Sequence, residues 1–198
     1  MRITLFDYGA GNLHSLAKAI DRCGTSPSIV TDPVRAVDTD VLVLPGVGAF
    51  EPAAARLAPG RSAIREALRA GLPCLGICLG MQLLFDGSDE GGGDGIGAIA
   101  GRVTKLQAAS IPQIGWNTVE EATDPVLLRS GIATAYYANS YVCRPADPAV
   151  VVAWSRHEGD RYPAAVRHGA SLGVQFHPEK SSSPGLALID AFLAAARR

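Results

Sequence analysis

The sequence has few cysteines and almost no net charge, and each shortage excludes a class of protein. Four cysteines among 198 residues are too few for a disulfide scaffold. None of them forms a C-x-x-C pair, so we predict neither a zinc site nor a redox dithiol. The formal charge of −1 gives no global field that would attract nucleic acid or anionic lipid. We therefore expect no metal, no cofactor and no nucleic-acid partner.

Long apolar runs are also missing. A bilayer span needs roughly 18 apolar residues, whereas the apolar runs here are short segments such as 41–44, VLVL. The first apolar run is interrupted by Asp7 and Gly9 before it reaches the length of a signal-peptide core. The low cysteine content fits a reducing compartment. We expect a soluble, cytoplasmic protein that has no membrane partner.

What the sequence does contain is enough apolar surface for a core. Apolar residues make up 47% of the chain and charged residues 19%, a balance that excludes general disorder. A typical domain has roughly 150 residues, so this length favours a single unit. We predict one domain over residues 1–198.

The apolar pattern predicts an α/β fold. Over the first 85 residues, short apolar runs alternate with segments of helical spacing, as in a doubly wound sheet whose parallel strands are joined by crossover helices. The predicted strands here are 3–6, 29–30, 41–44 and 72–77, and the predicted helices are 13–20, 61–70 and 79–85. The later segments 102–106, 114–120, 133–142, 150–154 and 164–167 are predicted as antiparallel strands that extend the sheet. A strand over 172–176 and a closing helix over 185–196 complete the prediction, which has helices on both faces.

Cys78 lies in the segment 76–80, GICLG, which has the G-x-C-x-G form of a nucleophile elbow between a strand and a helix. At the N-terminus of a helix, unpaired amides and the macrodipole favour the thiolate over the thiol. An amide near this turn could also hold an oxyanion. Cys23, Cys74 and Cys143 lack this setting, so we interpret them as small apolar residues.

A thiolate nucleophile needs a base, and His177 is the best placed of the four histidines. It follows an apolar strand, at the end where doubly wound sheets place their chemistry. Glu179 could accept a hydrogen bond from one imidazole nitrogen and leave the other facing the sulfur. His157 and His168 have polar surroundings that indicate solvated surface.

The segments 76–82, GICLGMQ, and 175–179, QFHPE, closely resemble motifs of the class I glutamine amidotransferases. That family shares a Cys-His-Glu triad on a sheet flanked by helices. Further segments resemble the glutaminase subunits of imidazole glycerol phosphate synthases in histidine biosynthesis, and the resemblance covers essentially the whole chain. These segments are 7–13 (DYGAGNL), 45–50 (PGVGAF), 114–117 (IGWN) and 177–181 (HPEKS).

The resemblance implies that the chain hydrolyses glutamine to glutamate and ammonia through a γ-glutamyl thioester on Cys78. It assigns proton transfer to His177 and the orientation of His177 to Glu179. It further implies an oxyanion hole formed by the backbone amides of Val47 and Leu79. The substrate contacts implied in the same way are Gly48, Gln82, Glu90, Ser140 and Tyr141. An acidic residue such as Glu90 suits an α-ammonium group.

Ammonia released into water would become ammonium, so a glutaminase of this kind needs a receiving partner. The sheet and its helices use nearly all of the chain and leave no room for a second catalytic domain. The resemblance implies a heterodimer with a cyclase subunit of (β/α)-barrel fold, which makes imidazole glycerol phosphate and aminoimidazole carboxamide ribonucleotide. The residues implied at the interface are Asn12, Trp116, Asn117, Tyr136 and Lys180, although core packing is an equal alternative for Tyr136.

The chain departs from this pattern at Gln113 and Asn139, where relatives usually carry histidine. Both side chains can form hydrogen bonds but cannot be protonated. Three other functions stay open from the sequence. One is an amidotransferase of pyridoxal phosphate or anthranilate synthesis. Another is a cysteine hydrolase of the α/β-hydrolase type, although that fold places its acid before the histidine. The third is a binding module with an unreactive cysteine.

Overall fold

The computed structural model describes residues 1–11 and 13–197; Asn12, predicted for the partner interface, lies outside the described residues. The strands of the described part are β1 (Ile3–Phe6), β2 (Ser28–Val30), β3 (Val41–Leu44), β4 (Cys74–Ile77), β5 (Gly87–Ser88), β6 (Gly101–Lys105), β7 (Gln113–Thr118), β8 (Thr134–Asn139), β9 (Tyr141–Pro145), β10 (Val151–His157), β11 (Asp160–His168) and β12 (Ser171–Val174). The α-helices of the same residues are α1 (His14–Asp21), α2 (Phe50–Leu57), α3 (Arg61–Arg69), α4 (Leu79–Gln82), α5 (Pro125–Ser130) and α6 (Ser182–Ala196).

The main sheet has the strand order β10-β11-β12-β4-β3-β1-β2. Strands β12, β4, β3, β1 and β2 are parallel, whereas β11 and β10 are added antiparallel at one side. Parallel neighbours require crossover connections, and α1, α2 and α3 lie in the chain between the parallel strands they connect. The predicted parallel centre with an antiparallel extension is confirmed.

Helices cover both faces of this sheet, which explains why its central strands β1, β3 and β4 are buried at every position. Successive side chains of a strand point to opposite faces. In β1, Ile3 and Leu5 join the cluster that also contains apolar residues of α1, α5 and α6. Phe6 joins the other cluster, with residues of α2, α3 and α4. The site described below therefore stands on strands that are held from both sides.

The remaining strands correct one detail of the prediction. The segment 133–142 is interrupted at Ser140, so β8 pairs with β7 while β9 pairs with β6. These strands form separate small sheets and do not extend the main sheet; of the predicted antiparallel strands, β10 and β11 alone do so within the described residues. The apolar pattern indicates that a segment is extended, but it does not indicate which strand will be its partner.

Two helices are absent from the sequence-based prediction, and one is shorter than predicted. Helix α2 carries Pro52 in its first turn, where proline is tolerated because the amide has no intrahelical partner. Helix α5 has only six residues, too few for a clear helical period. Helix α4 ends at Gln82 and not at Phe85. Within the described residues, the structure has no helix long and apolar enough to cross a membrane.

Candidate active site

The sheet brings Cys78 and His177 together although they are 177 − 78 = 99 residues apart. Cys78 follows β4 and His177 lies three residues beyond β12, and these two strands pair in parallel with Ile77 opposite Val174. Parallel strands end at the same edge of a sheet. The amide of Cys78 donates to the carbonyl oxygen of Val174 at 2.7 Å, which fixes the elbow to the neighbouring strand.

The backbone at Cys78 has the strained geometry that the elbow motif predicts. Its φ of 46° and ψ of −104° lie in a region that residues with a side chain rarely adopt. Helix α4 begins directly afterwards at Leu79. A Cβ atom at Gly80 would lie 2.0 Å from the carbonyl oxygen of Leu44, so the helix can approach β3 this closely only with glycine at that position.

His177 pairs with a carboxylate and lies close to Cys78. Its Nδ1 is 2.8 Å from Oε1 of Glu179. Burial acts to lower the pKa of His177, but the interactions with Cys78 and Glu179 outweigh it and raise the pKa to about 9. Because a carboxylate only accepts hydrogen bonds, Nδ1 carries a proton and donates to Glu179.

The loop that carries His177 is fastened to strand β8. The amide of His177 donates to the carbonyl oxygen of Tyr136 at 2.8 Å. Ser181, which is completely buried, donates its hydroxyl to the carbonyl oxygen of His177 at 2.6 Å and accepts from the amide of Tyr136 at 2.9 Å. Ser181 is absent from the predicted site residues, although it ends the quoted segment HPEKS.

The segment Pro45–Gly48 packs against the Cys78 and His177 side chains. A Cβ atom at Gly46 would lie 2.9 Å from Cβ of Cys78 and 2.9 Å from Cε1 of His177. Of the two residues predicted to form an oxyanion hole, one lies in this segment and the other directly follows Cys78. Val47 follows Gly46, and Leu79 is the first residue of α4, whose amide has no carbonyl partner within the helix.

A cavity of about 190 Å³ opens beside Cys78. The structure places all of the residues that the resemblance assigned to substrate binding in its wall. The lining includes Gly46, Gly48, Cys78, Leu79, Gln82, Glu90, Pro112, Ala138, Asn139, Ser140 and Tyr141. The break between β8 and β9 contributes here, because it turns Ser140 and Tyr141 toward the elbow rather than along a continuous strand.

The polar groups of this wall are held by specific contacts. Oε2 of Glu90 accepts from the amide of Phe50 at the start of α2, at 3.1 Å. The side-chain amide of Gln82 donates to the carbonyl oxygen of Tyr141 at 3.0 Å, and that of Asn139 donates to the same oxygen at 3.2 Å. Oδ1 of Asn139 is buried and has no hydrogen-bond partner within residues 1–11 and 13–197.

Gln175 is a site residue that the sequence analysis missed. It is completely buried, and its Nε2 lies 3.5 Å from Sγ of Cys78. The only signal was its presence in the quoted motif QFHPE, where the histidine and the carboxylate offered obvious chemistry and the amide did not. Gln113, by contrast, has a structural contact, because its Oε1 accepts from the hydroxyl of Tyr162 at 2.6 Å.

A second cavity, of about 300 Å³, shares Gly46 with the first. Its wall includes His177, Glu179 and Lys180, together with residues of α1 and the segment Pro45–Val47. The second cavity is therefore next to the pair formed by His177 and Glu179. Oε2 of Glu179 is buried and has no hydrogen-bond partner among the described residues.

Three of the predicted interface residues lie together, and one of them, Lys180, lines the second cavity. Nζ of Lys180 is 5.8 Å from the ring centroid of Tyr136, which in turn packs edge-on against Trp116 at 6.4 Å between ring centroids. Trp116 is 56% exposed. Asn117 differs, because its side-chain amide donates to the carbonyl oxygen of Arg156 at 2.8 Å and so connects β7 to β10 within this chain.

Comparisons with known proteins identify the family and the fold. The family model described as glutamine amidotransferase class-I matches residues 4–196. Among solved structures, one described as a glutamine amidotransferase has a TM-score of 0.76 at 19% identity and full coverage of both chains. A chain of PurLQS from Thermotoga maritima has a TM-score of 0.73 at 21% identity, with 98% of each chain covered. These structural similarities show the fold.

Curated relatives are closer in sequence. An imidazole glycerol phosphate synthase subunit HisH from Nostoc punctiforme is 39% identical, with 98% of this chain and 96% of the relative covered. The subunit of the same name from Symbiobacterium thermophilum is 44% identical, with 95% of this chain and 91% of the relative covered. The chain therefore belongs to the class-I glutamine amidotransferase family and, within it, to the imidazole glycerol phosphate synthase subunits.

Proposed function

We propose that the chain is a glutaminase domain over residues 1–198 that hydrolyses glutamine and delivers the ammonia to a cyclase subunit in histidine biosynthesis. The observation that carries this proposal is that the paired strands β4 and β12 bring Cys78 and His177 to the same edge of the sheet, with Nδ1 of His177 2.8 Å from Oε1 of Glu179. The α/β-hydrolase alternative does not fit the family match or the position of the acid after the histidine.

In the proposed reaction, His177 holds the proton of the Cys78 thiol, and the thiolate attacks the side-chain amide carbon of glutamine. A C–S bond forms, and His177 gives its proton to the departing nitrogen, which leaves as ammonia. Water then attacks the thioester, transfers a proton to His177, and releases glutamate with the sulfur restored. Glu179 keeps Nδ1 of the imidazole engaged throughout, so that the other nitrogen faces the reacting atoms.

The surrounding groups suit the charges that glutamine brings. The amides of Val47 and Leu79 are proposed to stabilise the oxyanion of the tetrahedral intermediate. Glu90 is proposed to bind the α-ammonium group, with Gly48, Gln82, Ser140 and Tyr141 completing the contacts at the amino-acid end. The cavity of about 190 Å³ is smaller than the roughly 300–1,000 Å³ typical of larger ligands, and so suits a single amino acid.

The second cavity supports delivery of ammonia to a partner. It is lined by His177 and by Lys180, and Lys180 also belongs to the surface formed by Trp116, Tyr136 and Lys180. We propose that this surface binds a cyclase subunit of (β/α)-barrel fold in a heterodimer. That subunit would use the ammonia to form imidazole glycerol phosphate and aminoimidazole carboxamide ribonucleotide, consistent with the names of the relatives.

The proposal is tested by glutamate release from glutamine under three conditions: the chain alone, with a cyclase subunit, and with the cyclase and its nucleotide ligand. We expect the rate to rise at each step, because glycines at 46 and 48 permit the segment Pro45–Gly48 to reorient when the partner binds. Labelling by a glutamine-mimicking diazo-ketone should require Cys78. Failure to produce glutamate under all three conditions would exclude the proposed function, and equal rates would exclude control by the partner.

A further inference from the structure

We propose that Gln175 is a positioning residue for the nucleophile: its side-chain amide donates a hydrogen bond to the sulfur of Cys78, and Gln82 fixes the direction of that amide. The inference deepens the proposed function and rests on Cys78 being the nucleophile. Gln175 transfers no proton in the proposed reaction, and it does not line the cavity of about 190 Å³.

Gln175 is shielded from solvent, so its side-chain amide must find its hydrogen-bond partners inside the protein. It directly follows β12, and its backbone amide is tied to the carbonyl oxygen of Ala164 at 2.9 Å. The side chain is 0% exposed. A buried primary amide costs free energy unless its donors and acceptor find partners, so the contacts that it does make are significant. Its partners are Sγ of Cys78 and the side chain of Gln82, each at 3.5 Å.

The orientation of the Gln175 side-chain amide follows from a backbone carbonyl group that contacts Gln82. The carbonyl oxygen of Tyr141 can only accept, so the end of Gln82 that lies 3.0 Å away must be its NH₂ group. The same NH₂ group faces Gln175, which must therefore present its oxygen to Gln82. The NH₂ group of Gln175 is then left pointing at the sulfur of Cys78. This chain of contacts determines an orientation that atom positions alone leave ambiguous.

A donor in this position acts on the sulfur in two ways. An N–H group stabilises a negatively charged sulfur more than a neutral one, because hydrogen bonds to ionised acceptors are stronger. It also restrains the side chain of Cys78, because the donor itself is held in place by Gln82. Because Gln82 and Tyr141 line the cavity, the contacts also connect the wall of the cavity to the nucleophile.

The experiment measures the rate at which iodoacetamide alkylates Cys78 as a function of pH, by quantifying the peptide that contains Cys78. Cys23 is partly exposed and is replaced by serine in every variant, whereas Cys74 and Cys143 are fully buried. In Gln175→Met, we expect the midpoint of the profile to move upward by about one pH unit, since a hydrogen bond to a charged group has this order of magnitude. Gln113→Met is the matched control. It replaces a buried glutamine that contacts Tyr162, and we expect the wild-type midpoint.

A second variant covers the case in which Gln175→Met does not fold. Gln175→Asn keeps the polar group but withdraws it by one methylene, so it should move the midpoint in the same direction. With the cyclase subunit present, both variants should lower kcat for glutamate release about tenfold and leave KM near the wild-type value. A wild-type alkylation midpoint in either folded variant would overturn the proposal for Gln175. Because alkylation requires no turnover, a wild-type chain that releases no glutamate would refute the proposed function separately.

Discussion

The two carboxylate oxygens of Glu179 have different surroundings. One accepts a hydrogen bond from the imidazole of His177, and the other is buried without a partner in the described part of the chain. In Glu179→Gln, the neutral amide no longer favours the protonated imidazole and can present either its oxygen or its NH₂ group. We expect kcat for glutamate release, measured with the cyclase subunit, to fall about 100-fold while KM changes little.

Glu121→Gln is the control for this change. Glu121 is an exposed glutamate that pairs with Arg161 near the antiparallel side of the main sheet. Its replacement should leave kcat unchanged. A Glu179→Gln variant with the same kcat as the control would show that the carboxylate does not orient His177.

Asp124 and Arg167 form a largely buried ion pair whose loss should destabilise the fold. Asp124 caps α5 and accepts two hydrogen bonds from the guanidinium of Arg167, at 2.8 and 3.0 Å. Burial acts to raise the pKa of Asp124, but Arg167, together with the backbone amides of Val126 and Leu127, outweighs it and holds the pKa below the ordinary value. In Arg167→Met, we expect the free energy of unfolding at pH 7 to fall by about 2 kcal/mol in urea titrations, because the carboxylate is left buried without an opposite charge.

The pH dependence of this effect has a definite sign. A carboxylate whose pKa is lowered by folding stabilises the protein above its unfolded pKa of about 3.9, and the contribution is lost as the pH falls through the lower folded value. The difference between wild type and Arg167→Met should therefore shrink below about pH 4. Arg2→Met removes an exposed pair with Asp38 and should leave the free energy of unfolding unchanged. Equal losses in the two variants would contradict the prediction.

The sequence predicted the reacting residues but not those that hold them. Cys78, His177 and Glu179 stand in recognisable motifs, and the structure brings their segments to one edge of the sheet, where His177 contacts Glu179. Gln175 and Ser181 are buried polar residues whose importance depends on which groups surround them. That information arises from the pairing of β12 with β4 and of the His177 loop with β8, and no local pattern contains it.

The elbow at Cys78 depends on the close approach of helix α4 to strand β3. In Gly80→Ala, a methyl group would meet the carbonyl oxygen of Leu44 at 2.0 Å, and a backbone atom cannot move away as a flexible side chain can. We expect the free energy of unfolding to fall by about 3 kcal/mol or more, or the variant to fail to fold.

Gly159→Ala provides the matched control for this substitution. Gly159 lies in the turn between β10 and β11, and a Cβ atom there would meet nothing within 4 Å. Its effect on the free energy of unfolding should stay within about 0.5 kcal/mol. If the two alanine variants were equally stable, the proposed packing of α4 on β3 would be wrong.

The elements of the first half were easier to predict than those of the second half for a physical reason. Strands β1, β3 and β4 are buried on both faces, so their apolar runs stand out from the surrounding sequence. Strands β7 and β8 are half exposed and carry polar residues. The break at Ser140 depends on strands from two different sheets, and nothing near Ser140 in the sequence marks it.

Affinity for the cyclase subunit should depend on the proposed surface of Trp116, Tyr136 and Lys180. A large exposed aromatic side chain is a common anchor in protein interfaces. We expect Trp116→Ala to weaken the heterodimer about 30-fold in a titration calorimetry or surface-binding measurement.

Leu128→Ala is the corresponding control, because Leu128 is 61% exposed on α5 and Trp116 is 56% exposed on β7. The control should bind the cyclase with wild-type affinity. If both variants bound as tightly as the wild type, the cyclase would contact another face of the chain.

The parallel pairing of β4 with β12 also determines when the chain becomes chemically competent during its synthesis. A ribosome has made Cys78 long before it makes residues 171–179. Until β12 inserts beside β4, the nascent chain has an unpaired sheet edge and a thiol without its imidazole. Residues 171–179 must therefore be translated before any glutamine can be consumed, and a fragment that ends before them would be inert rather than a source of stray ammonia.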